Sequence, residues 1–322
     1  MLSEHRAGAA AKVGVCDIVS VEKLNLMAKT NKTQKLPGVA EPIPLGIEEI
    51  DSCFSGGGAL RGQLMMLAGG SGSGKTMLAT QIVASMAAEN HSCLFFTLEQ
   101  YQEVLYDHLE AQTIAREPKN GEAAVKQLYE HVVVFDNVSS KPAKPEKMTP
   151  ARIESIIQKV NGSQISDSPV EVVVIDCLSL VELEESVSAP RGAMSALASA
   201  RGQVMEELFR ICKQENVLMI VLEGLHKKMS TGAPTLPGSI RQAQLCDFIL
   251  QIRRPRSPNK LADLGIRGQH EIVLSKNRRG SCTTARRYFN ERTLTFQLNE
   301  PAITPSLLSN ELIADSLSKV TF

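Results

Sequence analysis

Eight consecutive residues, Gly69-Gly70-Ser71-Gly72-Ser73-Gly74-Lys75-Thr76, fit the pattern G-x-x-x-x-G-K-[ST] at every fixed position. The chemistry open to such a loop is the cradling of phosphate groups. Closely spaced glycines let successive backbone N–H groups converge on an anion, and a helix starting at the loop adds its positive dipole end. Gly70, Ser71, Gly72, Ser73 and Gly74 would supply that nest, Lys75 would reach the β- and γ-phosphates, and the Thr76 hydroxyl would ligate Mg2+. The implied substrate is a nucleoside triphosphate: ATP, or another NTP or dNTP.

Two carboxylates extend binding toward hydrolysis. Asp176 closes the apolar run Val172-Val173-Val174-Ile175, the expected form of a Walker B carboxylate that holds Mg2+ directly or through water. Glu99 closes Phe95-Phe96-Thr97-Leu98. At the end of a strand adjacent to the P-loop strand, it could orient and deprotonate the attacking water. Later, Lys276 and Arg278 form a K-x-R pair at the end of an extended run. Residues two apart on a strand face the same side, so both could reach one phosphate. An arginine on the transferred phosphoryl group is worth roughly 10³–10⁵ in rate. Supplied by a neighbouring subunit, this pair would make hydrolysis depend on assembly.

Several elements must position these groups. Gln63–Ala68 is an apolar, strand-like run leading into the loop, and Met77–Ala88 carries apolar residues at helical spacing. Further strand-like runs are Ser92–Leu98, His131–Phe135, Glu171–Asp176, Val217–Leu222, Phe248–Ile252 and Glu271–Leu274. Helical patterns lie at Gln102–Ala111, Ala151–Val160 and Met194–Glu215. Strands alternating with helices predict an α/β fold with a mostly parallel sheet, whose ligands sit beyond the carboxyl ends of the strands. The P-loop, Glu99 and Asp176 all fall at such ends. A short amphipathic helix is expected between Asp17 and Met27, followed by a polar, proline-containing link. The resulting organisation is an arm over 1–45, a core over 46–298 and a tail over 299–322.

Among the 322 residues, 35 basic side chains balance 35 acidic ones. A polyanionic partner must therefore be gripped locally, not by an overall basic field. No apolar run approaches the roughly 18 residues of a membrane span, and no signal-peptide pattern opens the sequence. Seven cysteines without a C-x-x-C pair read as reduced thiols in a cytoplasmic or other reducing compartment, not as a disulfide framework or zinc site.

Taken in order, these motifs resemble the RecA-like core of the DnaB-type hexameric helicases, above all the bacteriophage primase-helicase and Twinkle branch. The resemblance runs from about Gly46 to Phe296. It rests on the P-loop, Phe96–Glu99, Ile175–Val181, Gly238–Asp247 and Lys276–Gly280. It implies a RecA-like P-loop NTPase fold and an ATP-dependent DNA helicase that translocates on single-stranded DNA. The nucleotide sites would lie at subunit interfaces of a homo-oligomer, expected to be a hexameric ring. By position, Lys75 and Thr76 bind phosphate and Mg2+, Glu99 is the catalytic base, Asp176 the Walker B carboxylate, and Lys276 with Arg278 the pair acting in trans. Arg254 and Phe289 or Tyr288 would flank the base. Lys227, Lys228 and Arg241 are candidates to neutralise DNA phosphates.

This sequence departs from the pattern where the family carries a Gln or His at the strand end Val221-Leu222-Glu223-Gly224. Gly224 holds that place, with His226 nearby. Only the arm precedes the core in this sequence, so a primase is expected to be a separate partner. The tail ends in Phe322, and related phage helicases contact the replication polymerase through a tail with an aromatic end. Two rival readings remain at this level: a RecA/RadA-like recombinase or annealing ATPase, and a KaiC-like ATPase that does not translocate.

Overall fold

The computed structural model describes residues 41–137, 147–162, 168–184, 193–227, 234–235, 240–254 and 269–299. The chain divides into two units, Met1–Ala40 and Glu41–Phe322, and every described residue belongs to the second. The helix expected within 17–27, Lys228 and the tail from residue 300 lie outside the described residues.

A short helix, α1 (Glu48–Asp51), precedes strand β1 (Leu64–Gly69), the P-loop and helix α2 (Lys75–Ala88). Then come β2 (Cys93–Thr97), α3 (Gln102–Arg116), α4 (Gly121–His131), β3 (Val132–Asp136), α5 (Pro150–Gly162) and β4 (Val172–Asp176). A 3-10 turn (Leu178–Leu180), α6 (Ala193–Gln214) and β5 (Leu218–Gly224) follow. The two-residue strands β6 (His226–Lys227) and β7 (Pro234–Thr235) pair with each other. The chain then runs through α7 (Ile240–Leu245), β8 (Phe248–Arg253), β9 (Gln269–Asn277), β10 (Thr283–Asn290) and β11 (Thr295–Gln297).

Among the described residues the main sheet has the order β11-β10-β9-β8-β1-β5-β4-β2-β3. The strands from β8 to β3 run parallel, while β9, β10 and β11 extend the sheet as antiparallel neighbours. The parallel strands are continuous apolar runs because both their faces are covered. On β1, Met65 and Leu67 pack with Leu78, Ile82, Leu105, Leu109 and Leu128 from α2, α3 and α4. Leu64, Met66 and Ala68 point to the other face, against Ile153, Ile157, Met205, Leu208 and Ile211 from α5 and α6. The alternation of a strand thus splits one run into two cores, and the sheet is the middle of three layers.

The fold is the expected RecA-like α/β arrangement, with one correction. The strand leading to Glu99 does not lie beside the P-loop strand. β5 and β4 are inserted between β1 and β2. Consecutive strands joined through a helix need not pair, because the crossover can leave room for strands that arrive later. Here β2 pairs with β4 in a register that matches Thr97 with Asp176. Glu99 is therefore carried beside the end of β4, where Asp176 sits.

Candidate active site

β1 ends where its backbone must turn sharply into α2. Gly74 takes a φ of +91°, and a Cβ there would stand 2.8 Å from the Phe296 ring, so glycine is required on both counts. The loop, the ends of β4 and β5 and the β9–β11 extension together enclose a cleft of about 830 Å³. Ser71 to Thr76, Glu99, Asp176, Arg254 and Phe289, all singled out from sequence, line it. The Lys75 ammonium donates to the carbonyls of Gly69 (3.3 Å) and Gly70 (3.2 Å), folded back over its own loop.

The Thr76 hydroxyl lies 2.6 Å from Asp176 Oδ2. That contact joins the start of α2, which follows β1, to the end of β4; in the sheet β1 and β4 are kept apart by β5. Asp176 is buried, and its burial pushes the carboxyl up to about 6; the Thr76 hydrogen bond and Lys75 oppose the rise, while Glu99 adds to it. A cation beside it would remove that penalty. Thr76 and Asp176 offer hard oxygen ligands of the kind Mg2+ prefers. Ligand atoms of Glu99, Asp176 and Cys177 all lie within 4.8 Å of one another. Burial pushes the Cys177 thiol up to about 12, so it remains a thiol and no ligand for a hard cation. Instead it donates to Glu99 Oε1 at 3.0 Å, and its sulfur lies 2.8 Å from the Ser179 hydroxyl. Glu99 itself is exposed to the cleft and held from one side.

The far wall is aromatic. Phe289, Phe296 and His270 form a cluster, with Phe296 5.0 Å from Phe289 and 5.2 Å from His270 between ring centroids. Gln81 on α2 fixes the wall to the P-loop helix. Its amide donates to the Phe296 carbonyl at 2.9 Å and accepts from the Phe296 N–H at 2.6 Å. Of the two aromatic candidates for the base, Phe289 lines the cleft and Tyr288 does not.

Lys276 and Arg278 do face the same side of the β9 end, yet neither lines the cleft of its own chain. Lys276 donates to the carbonyls of Ala243 (2.6 Å) and Cys246 (2.7 Å), satisfying the end of α7. Arg278 donates to the Gln244 carbonyl and reaches Asp247 Oδ1 at 3.4 Å. Arg241 is exposed and pairs with Glu206. For Lys227 only the backbone, in β6, is described.

Among the cleft residues that the sequence reading did not assign to the nucleotide site are Arg201, Glu223, His270 and Phe296. Arg201 carried a usable signal. It falls on the same helical stripe of α6 as Val204, Met205, Leu208 and Ile211, all buried, where a cation is out of place. Glu223 interrupts an apolar strand in the same way.

Comparison with curated protein sequences gives no match. Among solved structures, a DnaB-like replicative helicase described together with its interactions with primase superposes with a TM-score of 0.65 at 17% identity. That match covers 88% of this chain and 67% of the other. A second structure, an isolated ATPase domain, gives a TM-score of 0.64 at 16% identity, covering 87% of this chain and 97% of the other. At these identities the likeness establishes the fold. The family pattern of the DnaB-like helicase C-terminal domain matches residues 42–298. That span holds the P-loop, Glu99, Asp176, the aromatic wall and the K-x-R pair, and the chain belongs to this family.

Proposed function

We propose that this chain is the motor subunit of a ring-forming helicase that hydrolyses ATP and draws single-stranded DNA through the ring. The observation that carries the reading is the Thr76–Asp176 contact at 2.6 Å, with Glu99 beside it in the cleft that also holds Lys75. A binding protein needs only the loop. A second carboxylate, held against the first in spite of their repulsion, serves hydrolysis.

In this reading the backbone nest of Gly70–Gly74 and the Lys75 ammonium hold the phosphates. The Thr76 hydroxyl and the Asp176 carboxylate would hold Mg2+, which neutralises charge between the β- and γ-phosphates when bound. Glu99 accepts a proton from the attacking water, and the Cys177 thiol, donating to one of its oxygens, leaves the other free to do so. Arg254 and Phe289 flank the base. Lys276 and Arg278 serve the cleft of the next subunit, since both point away from their own. Lys227, Lys228 and Arg241 grip DNA phosphates. The motor is the core over 46–298, with the arm of 1–45 and the tail of 299–322 as attachment segments. A separate primase is the expected partner, by analogy with the similar helicase described with one. The free cysteines among the described residues suit a reducing compartment, and no described helix is long and apolar enough to cross a membrane.

The test is ATP hydrolysis with and without single-stranded DNA, joined to unwinding of a forked duplex and imaging of the nucleotide-bound assembly. Stimulation by DNA, unwinding and closed rings are expected. Hydrolysis indifferent to DNA would favour a non-translocating ATPase; filaments that exchange homologous strands would favour a recombinase. Glu99→Gln should lower hydrolysis by roughly 10²–10⁴ while leaving nucleotide binding intact.

A further inference from the structure

β5 lies between β1 and β4, in a register that sets Ala68 opposite Glu223 and Gly69 opposite Gly224. The end of β5 therefore opens onto the same rim as the P-loop. Glu223 is only 2% exposed there. Its Oε1 lies 3.7 Å from Arg201 Nη1, and its Oε2 has no hydrogen-bond partner among the described residues. The chain builds ion pairs differently where they are structural. Arg287 grips Glu49 with two parallel hydrogen bonds of 2.8 and 2.5 Å, and Arg210 grips Glu154 in the same forked way at 3.2 and 2.9 Å. Against those, the Arg201–Glu223 contact is slack, and a buried carboxylate so loosely paired is poorly compensated.

Arg201 and Glu223 both line the cleft with Lys75, Thr76 and Asp176. Beside them Gly224 presents no side chain, and a Cβ there would meet nothing within 4 Å. The cleft is therefore open at that position, which Arg201, Glu223, Gly224 and Lys75 all line. A planar guanidinium is a better partner for phosphate oxygens than for one carboxylate oxygen at 3.7 Å.

We propose that Arg201 reads the terminal phosphate of the bound triphosphate, and that Glu223 is where its guanidinium rests when that phosphate is absent. The exchange makes and breaks no covalent bond. Arg201 leaves one anion for a stronger one, and Glu223, relieved of its cation, remains buried beside Lys75. A diphosphate leaves the pair in place, so Arg201 distinguishes the two nucleotide states within a single subunit. The inference rests on the proposed nucleotide-binding role of the cleft.

Binding of a fluorescent non-hydrolysable ATP analogue and of fluorescent ADP to the full chain with Mg2+ tests it. Arg201→Gln should weaken the triphosphate about tenfold or more, the worth of a hydrogen bond to a charged group, and leave ADP within about twofold. Glu223→Gln should release Arg201, tightening the triphosphate severalfold with ADP unchanged. This second arm keeps the proposal exposed if Arg201→Gln does not fold. Equal effects on both nucleotides in Arg201→Gln, or a triphosphate affinity in Glu223→Gln that is unchanged or weaker, overturns the proposal. A wild type that binds neither nucleotide overturns the role of the cleft along with it; one that binds both, with Arg201→Gln unaffected, overturns this inference alone.

Discussion

Two carboxylates in the cleft have left water for opposite ends. Asp176 has the Thr76 hydroxyl in hydrogen-bond contact, whereas the Arg201 guanidinium stands off from Glu223 at 3.7 Å. Burial pushes Glu223 from the ordinary glutamate value of 4.5 up to about 7, opposed by Arg201 and Lys75. A raised folded-state value means that the folded protein holds the proton more tightly. The stability this contributes is complete below pH 4.5 and is lost as pH rises toward 7. The shift corresponds to something on the order of 3 kcal/mol. Glu223→Gln removes the titration, so its Tm should fall less than that of wild type between pH 5 and pH 8. Parallel pH profiles would contradict the burial argument. A second prediction concerns the hydroxyl–thiol–carboxylate chain of Ser179, Cys177 and Glu99. Cys177→Ala removes the thiol's hydrogen bond to the Glu99 carboxylate and with it the restraint on Glu99. kcat should drop a few-fold at unchanged KM, and Cys177→Ser should recover most of it. Loss of nucleotide binding in Cys177→Ala would instead make the thiol a packing group.

At the scale of elements, the cleft depends on a piece of sheet that contributes no catalytic group. β10 and β11 fold back so that Phe296 covers Gly74, with Gln81 bonded to its backbone in both directions. Phe296→Ala should lower stability by about 3–5 kcal/mol and weaken nucleotide binding, while kcat at saturating nucleotide holds. Thermal unfolding and nucleotide titration read the two effects, and an unchanged Tm would detach the hairpin from the core. This piece is also the part of the fold least legible in the sequence. β1, β2, β4 and β5 stand out because burial on both faces makes them unbroken apolar runs. In β10 a half-exposed strand mixes Arg286 and Arg287 with Ala285, the last buried and Arg287 tied to Glu49, so its alternation hides behind a paired charge. Helix α4 buries only Ala124 and Leu128 and offers a similarly thin signal. The order of strands was not legible at all, since pairing joins residues far apart in sequence; hence the misplaced neighbour of Glu99. The P-loop, Glu99 and Asp176 were legible because each is a polar group at a fixed place relative to an apolar run. Arg201 and Glu223 break that rule from inside their elements.

At the scale of the whole molecule, one acidic residue links the centre of the sheet to the K-x-R pair. Asp247 accepts from the Leu64 N–H at the root of β1, at 3.0 Å, and its other oxygen faces Arg278 at 3.4 Å. Lys276 is pinned to the end of α7 beside it. The pair is thus mounted on the P-loop strand at the end opposite the loop's own cleft. A cation so placed can serve hydrolysis only in a cleft brought to it by another copy, which makes the interface heterologous and able to close into a ring. Complementation decides the matter. Lys75→Ala has a dead loop and an intact Arg278; Arg278→Ala has the reverse. If Arg278 acts within its own chain, every site in a mixture carries one defect and hydrolysis stays absent. If it acts across the interface, random 1:1 mixing sets an intact loop against an intact arginine at about a quarter of the interfaces. Neither variant alone should hydrolyse ATP above a trace, and the mixture should recover activity once mixed assemblies are seen by native mass measurement. Mixed assemblies that stay inactive at every ratio would return Lys276 and Arg278 to the role their hydrogen bonds already fill, holding the end of α7 to β9.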